Sequence, residues 1–126
     1  MKLAFAFEIR LLRRPPARAA AVSNASQTAA VILAAGESRR MGTAKALLPF
    51  RGGTFLSHLA GTLSQRCSPL CAVFGFDAGR LMAACPAPAL PLHNPDYAQG
   101  MLTSLQTGLR ALPDTCDSVF FTPVDH

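Results

Sequence analysis

The chain has 126 residues, half of them hydrophobic and 15% charged, which suits one modest globular domain and excludes a disordered chain. Its net charge of +5 invites a nucleic-acid reading until the charges are located. Residues 1–28 carry Lys2, Arg10, Arg13, Arg14 and Arg18 against Glu8 alone, whereas residues 29–126 hold seven Lys/Arg against six Asp/Glu, so the basic character belongs to the tail.

Residues 1–28 read as a separate, disordered N-terminal extension. The apolar run 3–7 is too short for a signal-peptide core, and Pro15-Pro16 followed by Ala, Ser and Asn reads as linker. The domain proper is placed at 29–126. Residues 29–34 form an apolar run with Val and Ile, suited to a strand buried on both faces. A glycine-bearing loop follows. Thr54 then reads as an N-cap, with Phe55, Leu56, Leu59 and Leu63 on one helical stripe. Residues 70–75 suit a second buried strand, closed by Gly75. Residues 78–85 allow a short helix, which Pro86, Pro88 and Pro91 forbid from continuing. Residues 90–93 make a brief strand before Asn94-Pro95. Leu102, Leu105, Leu109 and Leu112 predict an amphipathic helix, and 118–122 a last strand that stops at Pro123-Val-Asp-His126.

Strand and helix patterns alternate with short links, which argues for the doubly wound α/β class: a mainly parallel sheet with helices on both faces. Ligands in such sheets sit at the carboxyl ends of strands. The glycine loop, Gly75-Phe76-Asp77, Asn94 and Asp125 all fall at such ends.

The loop in "LAAGESRRMGTAK" is not a Walker A element. Five residues separate Gly36 from Gly42, and Lys45 comes three later. It contains no GxGxxG either. What remains is a turn whose backbone N–H groups can form an anion-binding concavity, with Arg40 and Lys45 able to neutralise a polyphosphate over the small Ala34-Ala35-Gly36 floor. Cys67, Cys71, Cys85 and Cys116 show no CxxC and no paired His spacing, so they read as buried thiols in a reducing cytoplasm. No apolar run approaches the roughly 20 residues of a membrane-spanning helix, and the tail has no aromatic platform spaced for bases. Neither a membrane nor a nucleic acid is expected as a partner.

The string "LAAGESRRMGTAKALLPFRGGTFLSHL" resembles the signature of MobA-like nucleotidyltransferases. "NPDYAQGMLTSLQTGL" is similar to the later segment of the molybdenum-cofactor cytidylyltransferase branch, and "FFTPVDH" to the strand that ends in a metal-binding Asp. The three motifs stand in the family's order between about Ala30 and His126.

The resemblance implies a Rossmann-like fold of the nucleotide-diphospho-sugar transferase type. It implies transfer of CMP or GMP from CTP or GTP to a phosphorylated small-molecule acceptor, molybdopterin first among them, with Mg²⁺ and release of pyrophosphate. Leu33, Ala34, Ala35 and Gly36 would contact base and ribose. Arg40 and Lys45 would hold phosphates, assisted by Ser38 and the loop amides as far as Gly42. Asn94, Gly100, Met101 and Ser104 would border base and sugar, and Asp125 would ligate the metal.

Lys45, Arg40 and Asp125 are thus the expected catalytic residues, in a reaction that needs positioning and charge neutralisation rather than a nucleophilic triad. Family members run on through a further half domain with a second acidic ligand. The chain is therefore expected to hold the nucleotide half of a truncated domain. A sugar-1-phosphate nucleotidyltransferase and a non-catalytic nucleotide-binding fragment are the alternatives, and a molybdoenzyme or chaperone partner stays open.

Overall fold

The computed structural model describes residues 7–10, 27–36 and 45–124. Its centre is a five-stranded sheet in the order β1-β7-β2-β5-β6. The strands are β1 (Phe7–Arg10), β2 (Gln27–Ala34), β5 (Leu70–Phe74), β6 (Leu90–His93) and β7 (Cys116–Pro123). β2 pairs in parallel with both β5 and β7, and β5 in parallel with β6. A small antiparallel ribbon, β3 (Pro49–Phe50) with β4 (Gly53–Thr54), stands apart. Helices α1 (Phe55–Ser64), α2 (Ala78–Ala83) and α3 (Met101–Ala111) complete the α/β architecture.

The all-apolar runs of the central strands are explained by their two covered faces. Along β2, Ala30 and Ile32 point to a core shared with Leu56 and Leu59 of α1, Phe74 of β5 and Leu81 of α2. Ala29, Val31 and Leu33 point the other way, to Cys71, Val73, Val119 and Leu112, with Leu109 of α3 packed on them. One face is therefore covered by α1 and α2 and the other by α3. Fully burying a side chain such as Ile32 or Phe74 stabilises by about 1.5–3 kcal/mol, so β2 and β5 anchor the sheet.

Local chemistry starts α1 where expected. Thr54 accepts from the Ser57 amide at 3.0 Å, and the Ser57 hydroxyl accepts from the Thr54 amide at 2.9 Å, a reciprocal cap. Leu56, Leu59 and Leu63 are buried. α2 ends at Ala83, two residues before the expected limit.

Helix α3 differs from its leucine stripe. Leu102 is 64% exposed, and the residues buried within the helix are Ser104 and Gly108. The cause is close packing: a Cβ on Gly108 would lie 2.6 Å from Val31 Cγ1. The helix sits on β2 through its smallest residue, and Leu109 and Leu112 fill the flank.

The N-terminal extension contributes to the sheet. Phe7–Arg10 pairs antiparallel with β7 in the register Phe7↔Phe121 to Arg10↔Ser118, and β2 begins at Gln27 rather than Ala29. Phe7–Arg10, inside the stretch read from the sequence as an extension, thus forms an edge strand beside β7. Pro15-Pro16 lies outside the described residues.

Candidate active site

The chain winds outward from β2 through α1 to β5 and through α2 to β6. Helix α3 then carries it back across the sheet to β7, on the other side of β2. The winding direction reverses between β2 and β7, and crevices at such a reversal are where doubly wound sheets bind ligands, at the carboxyl ends of the strands. The Val124 amide donates to the Leu33 carbonyl at 2.9 Å. The backbone that leads into Asp125 is thereby fixed to the first residue of the "LAAG" turn.

Leu33 and Ala35 are buried, Ala34 is half-buried and Gly36 is exposed. A Cβ built on Gly36 would meet nothing within 4 Å among the described residues. The Ala35 carbonyl accepts from the Phe76 amide at 3.0 Å, which joins the floor to the turn after β5. Phe76 meets Tyr97 edge to face, with ring centroids 6.4 Å apart. Gly75 has no room for a Cβ, because the Tyr97 ring occupies that position.

Asn94, at the end of β6, is 2% exposed and fully engaged. Its amide donates to the Phe74 carbonyl at 2.7 Å. Its carboxamide nitrogen donates to Thr103 Oγ1 and to Ser104 Oγ, each at 2.9 Å, and its Oδ1 accepts from the Asp96 amide at 2.9 Å. Thr103 Oγ1 lies 2.7 Å from the Gly100 carbonyl and can donate to it. These bonds tie the turn 94–100 to the first turn of α3. Gly100 has φ 120° and ψ 168°, a conformation that is essentially glycine's alone.

The structure brings Leu33, Ala34, Ala35 and Gly36 to the strand end expected of them. Asn94 and Ser104 lie beneath the rim, with their polar atoms bonded inside the protein, while Gly100 and the exposed Met101 stand on the turn they support. Lys45 opens the 3₁₀ turn Lys45–Leu47. Ser38, Arg40, Gly42 and Asp125 lie outside the described residues. From the sequence Phe76 was placed only as part of a strand end, and neither it nor Tyr97 nor Thr103 was given a role in the site. The strand-end position of Phe76 was legible, but its ring contact depends on a residue 21 positions away.

Burial pushes the Cys71 thiol up from its ordinary value, and nearby Cys116 adds to the shift; burial alone pushes up Cys85. Low-pKa nucleophiles these are not. Among the described residues, no three His, Cys, Asp or Glu side chains group as metal ligands, and no helix is long and apolar enough to cross a membrane.

Residues 30–126 match the sequence profile of the MobA-like NTP transferase domain. A Mycobacterium tuberculosis protein named "Probable molybdenum cofactor guanylyltransferase" is 45% identical over 86 residues, which cover 66% of this chain and 40% of that protein. The Escherichia coli "Molybdenum cofactor cytidylyltransferase" is 39% identical over 84 residues, covering 65% of this chain and 44% of that one. The chain thus spans less than half the length of these relatives. Among solved structures, that of Rv0371c from M. tuberculosis superposes with a TM-score of 0.68 at 28% identity, over 81% of this chain and 53% of its own.

Proposed function

The chain belongs to the MobA-like NTP transferase domain family, and we propose that it serves transfer of a nucleoside monophosphate from an NTP to a phosphorylated acceptor of the molybdopterin class. The observation that carries this reading is the bond from the Val124 amide to the Leu33 carbonyl, which joins the end of β7 to the start of the glycine floor at the winding reversal. The names of the relatives support the substrate class, and they include both a guanylyl- and a cytidylyltransferase.

In this reading an acceptor phosphate oxygen attacks the α-phosphorus of the NTP. The new P–O bond forms as the bond to pyrophosphate breaks. Lys45 and Arg40, with Ser38 and the amides as far as Gly42, hold the phosphates and neutralise charge that grows on the leaving group. The base and ribose lie over Leu33, Ala34, Ala35 and Gly36. Gly100 and Met101 border them, and Asn94 and Ser104 hold that border from below.

Asp125 is the residue assigned to Mg²⁺, which suits an ion that takes one or two carboxylates plus phosphate oxygens and water. When bound, the ion would supply charge neutralisation at the phosphates.

Pyrophosphate release with CTP and with GTP, in the presence of molybdopterin or of a sugar 1-phosphate, tests the reading. Turnover with molybdopterin that is lost in Lys45→Ala and Asp125→Ala is the expected result. Wild-type turnover in either variant sinks the mechanism. Turnover with the sugar phosphate alone reassigns the acceptor, and NTP binding without pyrophosphate release rejects transfer by this chain.

A further inference from the structure

Phe76 is 44% exposed although it follows five buried residues of β5. Nothing in the sheet requires an aromatic side chain there. Three contacts nevertheless fix the residue on the rim. Its amide is bonded to the Ala35 carbonyl, its ring meets Tyr97 edge to face, and the Cβ-less Gly75 lets Tyr97 close up behind it. Tyr97 is held in turn by the Asn94 and Thr103 bonds that pin residues 94–100 to α3. Two separate turns are therefore locked together to support one partly exposed aromatic ring next to the glycine floor.

We propose that Phe76, braced by Tyr97, is the stacking wall for the nucleobase of the NTP. Three features of the chain argue for it. An aromatic face binds any base by its π-surface, and an edge-to-face neighbour limits the swing of the ring. Phe76 is bonded at its backbone to Ala35, part of the very floor assigned to base and ribose, whereas the residues proposed to hold phosphates follow Gly36 in the sequence. Finally, Phe76 carries no charge or hydrogen-bonding group, so its contribution falls on the ring of the nucleotide and not on its phosphates. Tyr97 acts through Phe76 and is a positioning residue.

This inference rests on the nucleotide-site reading given above, and the experiment separates the two. Binding of CTP, GTP and inorganic tripolyphosphate is measured on the full chain for wild type, Phe76→Ala, Phe76→Tyr and Tyr97→Ala. Phe76→Ala should weaken both nucleotides about tenfold and leave tripolyphosphate unchanged, since base stacking on an aromatic side chain is worth roughly that much or more. Phe76→Tyr should restore most of the loss. Tyr97→Ala should give a smaller loss in the same direction.

Equal nucleotide affinity in wild type and Phe76→Ala overturns the wall. Parallel loss of nucleotide and tripolyphosphate affinity overturns it too, because that pattern reports general disruption. Where the wild type itself binds neither nucleotide, the nucleotide-site reading has failed as well. A loss confined to the pterin acceptor in transfer assays overturns the assignment to the base and moves the wall to the acceptor's ring.

Discussion

The carboxamide of Asn94 donates to the hydroxyl of Ser104 across 2.9 Å, both side chains being almost wholly buried beneath the site. The bond joins the first residue after β6 to the first turn of α3, and its companions to Thr103 and Asp96 engage both polar atoms of the carboxamide. An Asn94→Leu change keeps the volume but removes the side-chain partner of the Asp96 amide and of the buried Ser104 hydroxyl, while Thr103 keeps its bond to the Gly100 carbonyl. The expected outcome is a loss of about 1–3 kcal/mol in urea unfolding, together with weaker nucleotide binding as the 94–100 turn loosens. Unchanged stability would show that water replaces these bonds without penalty.

The helix–strand contact at Gly108 has its own consequence. A methyl group there meets Val31 Cγ1 at 2.6 Å and Cγ2 at 3.0 Å, and Val31 is itself walled in by the sheet. Alanine in a helix interior is ordinarily better than glycine by about 1 kcal/mol, but overpacking a core costs about 1–3 kcal/mol. Gly108→Ala is therefore expected to destabilise. Adding Val31→Ala should recover part of the loss, and a double-mutant cycle by denaturant unfolding measures the coupling. A net gain in stability from Gly108→Ala alone would show that α3 is free to shift.

Gly100 tests the rim without touching the core. Its φ of 120° with ψ 168° is strained for any side chain, although a Cβ would meet no neighbour within 4 Å. Gly100→Ala should cost about 1–3 kcal/mol of local strain, relieved by a rearranged turn. Nucleotide affinity is expected to fall several-fold while far-UV circular dichroism stays native. Retained affinity would separate this turn from the site.

The buried strands and α1 were legible because each carries its own signal: unbroken apolar runs for β2 and β5, and a cap followed by a stripe for α1. The floor at Leu33 to Gly36 was legible because small residues follow a strand directly. Three features were not. The leucines of α3 gave a clear period, yet the buried face turned on a glycine, because packing distance to β2 outweighs side-chain hydrophobicity there. The Phe76–Tyr97 pair joins two turns whose separation no local pattern encodes. Strand β1 is four residues in an Arg-rich stretch, and its pairing is set by the open side of β7 rather than by its own alternation.

That strand invites a direct check. Glu8↔Phe120 and Ile9↔Val119 are opposed in the antiparallel register with β7. Ile9→Pro removes a backbone donor that an antiparallel strand can use and should disrupt the pair. Slower amide exchange in Phe7–Arg10 of the wild type than in Ile9→Pro is the expected result, with a greater tendency to self-associate in the variant as the β7 edge opens. Identical exchange in both proteins would show that the tail does not hold β7 in solution.

The raised thiols bear on stability at alkaline pH. Folding keeps the Cys71 and Cys85 protons on above the ordinary thiol value of 9.0, so between that value and their folded values the native state binds more protons than the unfolded chain. The slope of unfolding free energy with pH is then negative. The contribution is fully present at pH 7 and is lost as pH rises past 9.0. Urea midpoints measured from pH 7 upward should fall on this limb, and Cys71→Ala should flatten it, because burial and the neighbouring Cys116 both oppose the Cys71 thiolate. Cys71 should also resist a thiol-labelling reagent in the native chain and react once urea unfolds it. Rapid labelling at neutral pH without denaturant would mean that the β5 face opens far more readily than a core strand should.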